Sequence, residues 1–340
     1  MLDILNYSLL NNNTFGIDES CRRYIQFDTT DELHQVLASL TTDDQPLLII
    51  GGGSNLLLTG PFEGTVLRSN ILGIEQTVHP FDDDCVLVRC GSGVVWDDFV
   101  DYCVSNDLYG AENLSIIPGD VGASAVQNIG AYGAEAKDLI FVVEAVEIAT
   151  GKEIVITPNE CQYGYRQSRF KNEWKDKYII TYVTYCLKKT FTPHVEYGNI
   201  SSELEKRGIT EPTAHDIRNV IIDIRNAKLP DPKVEGNAGS FFMNPIISRE
   251  QFNNLLETYP EMPHYYVDED REKVPAGWLI DQCGWKGRTL GKAGVHKNQA
   301  LVLVNRGGAK GSDIVTLCRA IQKDVKEKFG IEIKPEVNFR

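Results

Sequence analysis

Residues 117–133 constrain this chain more than any other stretch. Gly119, Gly122, Gly130 and Gly133 alternate there with small residues and with the amides of Gln127 and Asn128, with almost no helical or strand periodicity. A compact domain rarely keeps an irregular connection of about 17 residues unless it has a functional use. Glycine lets backbone N–H groups approach an anion, and small neighbours let the backbone lie flat against a ligand. The structural alternative is a glycine-rich crossover packed on a helix. A second segment, Gly51-Gly52-Gly53-Ser54-Asn55, follows the apolar run Leu47-Leu48-Ile49-Ile50, as a phosphate-binding turn follows a strand. Leu56 stands where a dinucleotide fingerprint has its third glycine, and no Lys-Ser/Thr pair follows as in a Walker loop. Alone, this segment reads equally well as an ordinary tight turn.

The surrounding pattern is α+β. Thr29 and Glu32 make a capping box, and Leu33, Val36, Leu37 and Leu40 then fall on one helical face. Strands are expected at 47–50, 65–68, 85–89, 140–149, 153–157 and 178–187. A helix carrying Val95, Phe99, Val100, Cys103 and Val104 follows Gly91-Ser92-Gly93. Pro230 and Pro232 mark a boundary, since proline lacks the amide that continues a ladder or helix. A final helix is expected to be capped by Ser312 and stopped by Gly330. Residues 331–340 read as an extended tail that must dock elsewhere. The expected division is 1–72, 73–228, 229–330 and the tail 331–340.

Composition removes several function classes. The net charge of −14 is wrong for a general nucleic-acid binder, which gains affinity by neutralising phosphates with Lys and Arg. Residues 1–13 lack the basic and apolar regions of a signal peptide. No apolar run reaches the roughly 20 residues of a membrane helix. The eight cysteines show no C-x-x-C spacing and the six histidines no H-x-x-x-H pair, so no metal site is expected. Several cysteines, among them Cys103, Cys186 and Cys318, lie in apolar runs and read as buried thiols.

Taken in order, these segments resemble the UDP-N-acetylenolpyruvoylglucosamine reductases, the MurB family. The resemblance runs through Asn13-Thr14-Phe15, Gly51 to Asn55, Gly91 to Trp96, Ile117-Pro118-Gly119, Gln127 to Gly133 and Tyr165-Arg166. It continues through Lys228-Leu229-Pro230, Gly236 to Phe242, Ala276 to Ile280 and Pro335-Glu336-Val337. It implies an FAD-binding module of the vanillyl-alcohol-oxidase type in two α+β subdomains, followed by an α+β substrate domain. It also implies non-covalent FAD, NADPH as co-substrate, and reduction of UDP-N-acetylglucosamine enolpyruvate to UDP-N-acetylmuramate for peptidoglycan synthesis. A cytoplasmic monomer acting only on small molecules is expected, with no nucleic-acid or membrane partner.

By the same resemblance, Arg166 and Glu336 flank the substrate carboxylate and Ser240 delivers a proton. FAD contacts fall on Gly51, Gly52, Gly53, Ser54 and Asn55, on Pro118 and Gly119, on Gly122, Ala123 and Ser124, on Gln127 and Asn128, and on Gly130, Ala131 and Tyr132. Tyr197, Lys228, Asn244 and Gln299 hold the substrate, Tyr197 on the loop that marks the longer (type I) variant. The roles suit the residue types. Hydride addition to an enolpyruvyl double bond builds negative charge next to a carboxylate, which an arginine fork can bind and a donor must then protonate. Glu336 fits as a protonated or orienting group, because an ionised one would oppose that charge.

Singly, each residue has a plainer reading: Ser240 as a turn or cap, Arg166 as a solvated cation, Glu336 as the solvent face of a strand. Two positions depart from the family pattern, Ala125 where proline is usual and Asn338 where arginine is expected. The competing functions are a flavin oxidase of the same superfamily and a non-catalytic nucleotide-sugar binder. The absence of histidine and cysteine from both glycine segments speaks for a non-covalent flavin, and retention of Arg166, Ser240 and Glu336 speaks against a mere binder.

Overall fold

The computed structural model describes residues 1–340. It has two compact units: Met1–Tyr7, Cys21–Gly52 and Glu63–Arg225 form the first, and Ser8–Ser20, Gly53–Phe62 and Asn226–Arg340 the second.

In the first unit, helix Thr30–Ser39 starts at the Thr29 cap, and only half of the expected capping box forms, because Glu32 reaches the amide one residue before the cap. The Thr29 hydroxyl accepts from Glu32 N at 3.1 Å, while the Glu32 carboxylate accepts from Asp28 N at 2.7 Å. Leu33 and Val36 bury against Phe27, Leu67, Val146 and Ile179. Strands Leu2–Ser8, Ser20–Phe27, Phe62–Ser69 and Leu47–Ile50 lie side by side in that order. The last two are parallel, with Ile50 opposite Arg68. This register sets the Gly51-Gly52 turn at the end of a buried strand.

A five-stranded antiparallel sheet holds the main core, in the order Glu153–Ile156, Ile140–Glu147, Tyr178–Lys188, Cys85–Gly91, Ile74–Val78. Helix Trp96–Ser105 covers it with Trp96, Phe99, Val100, Cys103 and Val104 inward, the face its spacing requires. The Trp96 ring is 1 % exposed and its indole N–H donates to Leu114 O at 2.8 Å. Trp96→Ala is therefore expected to cost about 3–5 kcal/mol, through the cavity and the unpaired carbonyl; a denaturant titration reads this directly.

Residues 117–133 are more ordered than the sequence suggests. They contain helix Val121–Gln127 and the first strand of a small hairpin, Gly130–Ala131 against Ala134–Glu135. Val121 N and Gly122 N donate to Val94 O and Ser92 O at 2.8 and 2.9 Å. A Cβ on Gly122 would stand 2.8 Å from the Ser92 Cβ. The helix packs at a distance that only small residues allow, so it carries no large apolar periodicity to be read.

The second unit joins distant pieces of chain. Strands Asn237–Ser240, Val302–Asn305, Ala293–Val295 and Thr289–Leu290 form one sheet, and Ile246–Ser248, Arg271–Lys273 and Tyr265–Asp268 another. The C-terminal helix is Gly311–Phe329, with Gly330 closing it at φ 66°. Its N-cap is Lys310, not Ser312. Asp313 accepts from Lys310 N at 2.9 Å, and a Cβ on Gly311 would come within 1.9 Å of Leu58 O, so the first turn is pinned two residues earlier than expected. The tail docks within this unit: Asn338–Phe339 pairs in parallel with Leu56–Leu57, and Thr59 N donates to Arg340 O at 2.6 Å.

Of the eight thiols, Cys186 and Cys283 are half-buried and the other six buried. No helix is long and apolar enough to cross a membrane.

Candidate active site

In the first unit, Arg166 sits at the tip of a two-residue turn closed by paired backbone bonds between Gly164 and Gln167, both 3.0 Å. Its φ of 55° is costly for a non-glycine residue and is held by the bonds of the turn. The guanidinium donates to Gly130 O at 2.5 Å and to Asn128 O at 3.4 Å, fixing it to the glycine hairpin. Asn128 is wholly buried. Its amide donates to Glu135 Oε2 and Gly164 O, both at 2.9 Å, and its side-chain oxygen accepts from Lys137 N. That side chain is committed to the fold, and only its backbone is left to meet a ligand. Ser124 is likewise engaged, with Val121 O and the Tyr185 hydroxyl, each at 2.7 Å.

Tyr197, 52 % exposed, lies over the same hairpin: a Cβ on Gly133 would stand 3.0 Å from its ring. Asn113 anchors the arrangement by donating to Tyr132 O and His194 O, both at 3.0 Å. Helices Ile200–Lys206 and Ala214–Lys228 support it from a cluster that Tyr132 and Val195 pack against. Arg225, on the second of these helices, was not singled out from sequence. Its Nε is buried without a hydrogen-bond partner, and burial above all, with Arg166 adding to it, holds its guanidinium below the usual arginine value. Two neighbouring guanidiniums suit an anionic ligand.

The Gly51-Gly52 turn rests on Asp120. A Cβ on Gly51 would meet Asp120 Oδ2 at 3.2 Å, and one on Gly52 would meet Oδ1 at 3.2 Å. Burial pushes this carboxyl up to about 6, against the opposing pull of Arg68. The folded carboxyl keeps its proton to higher pH than an unfolded one. It therefore favours the fold in acid and costs stability as pH rises through about 6.

In the second unit, the segments around Ser240 and Glu336 are bonded to one another. Glu336 N donates to Phe241 O at 2.8 Å, and Met243 N to Lys334 O at 3.0 Å. A bulge between Asn237 and Ser240, with Gly239 at φ 67°, breaks the strand alternation and leaves Ser240 exposed. Thr14 N donates to Gly53 O at 3.2 Å and Asn237 N to Thr14 O at 2.9 Å, so residues 13–15 tie the Gly53 turn to the Ser240 strand. Asn338 gives its amide to Asn55 O at 3.2 Å, holding the tail at that turn.

Asn244 and Gln299 line a cavity of about 330 Å³ together with Tyr265, Trp278, Asp281 and Lys286. The Asn244 side-chain oxygen accepts from Ala276 N at 2.9 Å, starting helix Ala276–Gln282, which carries Trp278 and Asp281. Sequence reading missed Tyr265, Trp278 and Lys286. Trp278 lay inside the Ala276–Ile280 motif without a role, and nothing in the sequence joins it to Tyr265. Lys228 is exposed at the end of its helix.

The site residues fit an FAD on the structure's own terms. The Gly51-Gly52 turn has a half-exposed arginine across the strand from Ile50, with a buried Nε that lacks a partner, and the Asp120 oxygen against the turn is equally orphaned. Comparison with known families agrees, since an FAD binding domain matches residues 21–157. The fold is thus that of an α+β flavin-binding protein.

Residues 231–340 match the C-terminal domain of UDP-N-acetylenolpyruvoylglucosamine reductase. The chain is 57% identical to the enzyme of that name from Bacteroides fragilis (strain YCH46), over 98% of each. It is 47% identical to the one from Flavobacterium johnsoniae, again over 98% of each. The crystal structure of the Thermus caldophilus reductase superposes with a TM-score of 0.66 at 22% identity, over 99% of this chain and 98% of that one, a likeness of fold. The chain belongs to the UDP-N-acetylenolpyruvoylglucosamine reductase family.

Proposed function

We propose that the protein uses NADPH to reduce UDP-N-acetylglucosamine enolpyruvate to UDP-N-acetylmuramate, the peptidoglycan precursor, in the cytoplasm. When bound, FAD supplies two-electron chemistry, accepting hydride from NADPH and releasing it from N5 to the substrate double bond. The chain's own residues bind, orient and protonate. Arg166 holds the substrate carboxylate through its guanidinium and steadies the charge that grows beside it. Ser240 gives its hydroxyl proton to the carbon that hydride leaves electron-rich. Glu336, protonated or hydrogen-bonded through its carboxyl, orients the same carboxylate without adding a competing charge.

The observation that supports this most is the backbone bonding of Glu336 to Phe241, the residue next to Ser240, which joins the two segments of chain. Tyr197 and Lys228 are assigned to the diphosphate. In the 330 Å³ cavity, Tyr265 and Trp278 offer aromatic faces to the nucleotide, Lys286 a cation to phosphate, and Asn244 and Gln299 hydrogen bonds.

The purified protein is expected to be yellow and to release its flavin on heating. It is expected to consume NADPH steadily only when the enolpyruvyl sugar is present; consumption that ignores this substrate would mean an oxidase instead. Lys286→Ala is expected to raise the KM for the UDP-sugar by about tenfold, about 1.4 kcal/mol of binding, while leaving flavin reduction by NADPH alone unchanged. Steady-state and stopped-flow kinetics separate the two.

A further inference from the structure

A carboxyl group beneath a phosphate-binding turn runs against the charge of the ligand, and Asp120 is such a group. It precedes helix Val121–Gln127 but its side chain does not cap it. The first helical amides, Val121 N and Gly122 N, are already held by Val94 O and Ser92 O. The carboxyl turns to the Gly51-Gly52 turn instead, within 3.2 Å of where a Cβ on either glycine would stand. Asp120 is 5% exposed, and its Oδ2 is buried with no hydrogen-bond partner. Arg68, across from Ile50 at the head of the turn, has a buried Nε in the same condition. Arg68 is the charged group whose field reaches Asp120, while Gly119 and Ala123, which complete its contacts with the turn, do not titrate.

An unpaired donor and an unpaired carboxyl oxygen at one turn form a built polar site. A diphosphate on this turn is attracted by Arg68 and repelled by an ionised Asp120, in surroundings dry enough for both effects to be strong. We propose that FAD binding to this chain takes up one proton onto Asp120, whose neutral carboxyl then sits with the Arg68 guanidinium beneath the cofactor diphosphate. The proposal rests on the reading of this turn as the FAD site. The proton comes from solvent and no other bond changes.

The sign follows from linkage. The carboxyl of the free protein keeps its proton to about pH 6, and the bound anion holds that proton to higher pH still. FAD affinity is then flat in acid and falls above about pH 6, by up to tenfold per pH unit, until the bound form itself ionises. Asp120 acts here as a positioning residue under the cofactor, not as a catalytic one.

The test titrates FAD into the apoprotein by flavin fluorescence from about pH 5.5 to about pH 8.5, a span that a carboxyl so raised crosses. The wild-type Kd is expected to rise with pH as stated, and that of Asp120→Asn to stay level and tight throughout. Arg68→Gln, which removes the opposing cation, is expected to move the onset of weakening to higher pH. Should the Asn variant fold poorly, calorimetry on the wild type near pH 7 in two buffers of different ionisation enthalpy is expected to show uptake approaching one proton per FAD. A level wild-type Kd, an unchanged slope in Asp120→Asn, or no proton uptake overturns the proposal while leaving the FAD site intact. Failure to bind FAD at any pH removes both.

Discussion

Ser240→Ala is expected to leave flavin reduction by NADPH within about twofold of wild type and to slow reoxidation by the enolpyruvyl sugar by about a thousandfold, the middle of the range for losing a positioned proton donor. The substitution is small and the site tolerant. Ser240 is exposed, and its neighbours hold the strand by backbone, with Phe241 N donating to Leu301 O at 2.8 Å and Ser240 paired with Val302. Thermal stability should therefore hardly move. Stopped-flow absorbance resolves the two half-reactions. A variant that loses both equally, or that melts early, would assign Ser240 a structural role and withdraw the proton-donor reading.

Gly53→Ala is expected to damage the fold itself. Gly53 has φ 66°, where an alanine pays about 1 kcal/mol for its Cβ. That Cβ would also stand 1.9 Å from Asn12 O and 2.9 Å from Asn13 Cα, both backbone atoms that cannot step aside. Relief means moving residues 12–15, where Thr14 N donates to Gly53 O and Thr14 O accepts from Asn237 N at the start of the Ser240 strand. A loss of about 3 kcal/mol follows from backbone strain and overpacking together, and a fall in Tm of about 4 °C for a chain of this size. Gly60→Ala, where an added Cβ meets nothing within 4 Å, is the matched control and should be silent. A Gly53→Ala protein as stable as the control would show that the 12–15 backbone yields easily.

The two glycine segments show where sequence reasoning reached and where it stopped. Residues 117–133 were legible as a place where backbone must come close to something, while Gly51 to Asn55 read equally well as an ordinary tight turn. What that something is was not legible. Gly53 and Gly122 are glycine because protein backbone or Ser92 lies against them, whereas Gly51 and Gly52 leave room for one particular carboxyl. A string of glycines looks the same in either case, since the partner is supplied by chain far away. Asn128 was read as a ligand amide, yet the fold occupies its side chain fully with Glu135, Gly164 and Lys137. The cavity at Tyr265, Trp278 and Lys286 escaped notice for the same reason: no local periodicity connects residues that meet only when a strand, a helix and a turn come together.

By itself the sequence determined the α+β pattern, the capped helix after Thr29, the apolar face of Trp96–Ser105, the stop at Gly330 and the family to which the chain belongs. These rest on local rules of spacing, capping and backbone freedom, which act over a few residues and leave a mark in the string. The tertiary structure alone decided that the tail bonds to the Ser240 segment and to Asn55, that Asn338 secures it there, and that Asp120 is buried against the Gly51-Gly52 turn with its proton held to about pH 6. Burial, desolvation and the bridging of segments nearly a hundred residues apart depend on what surrounds an atom in space, and that neighbourhood exists only once the chain has folded.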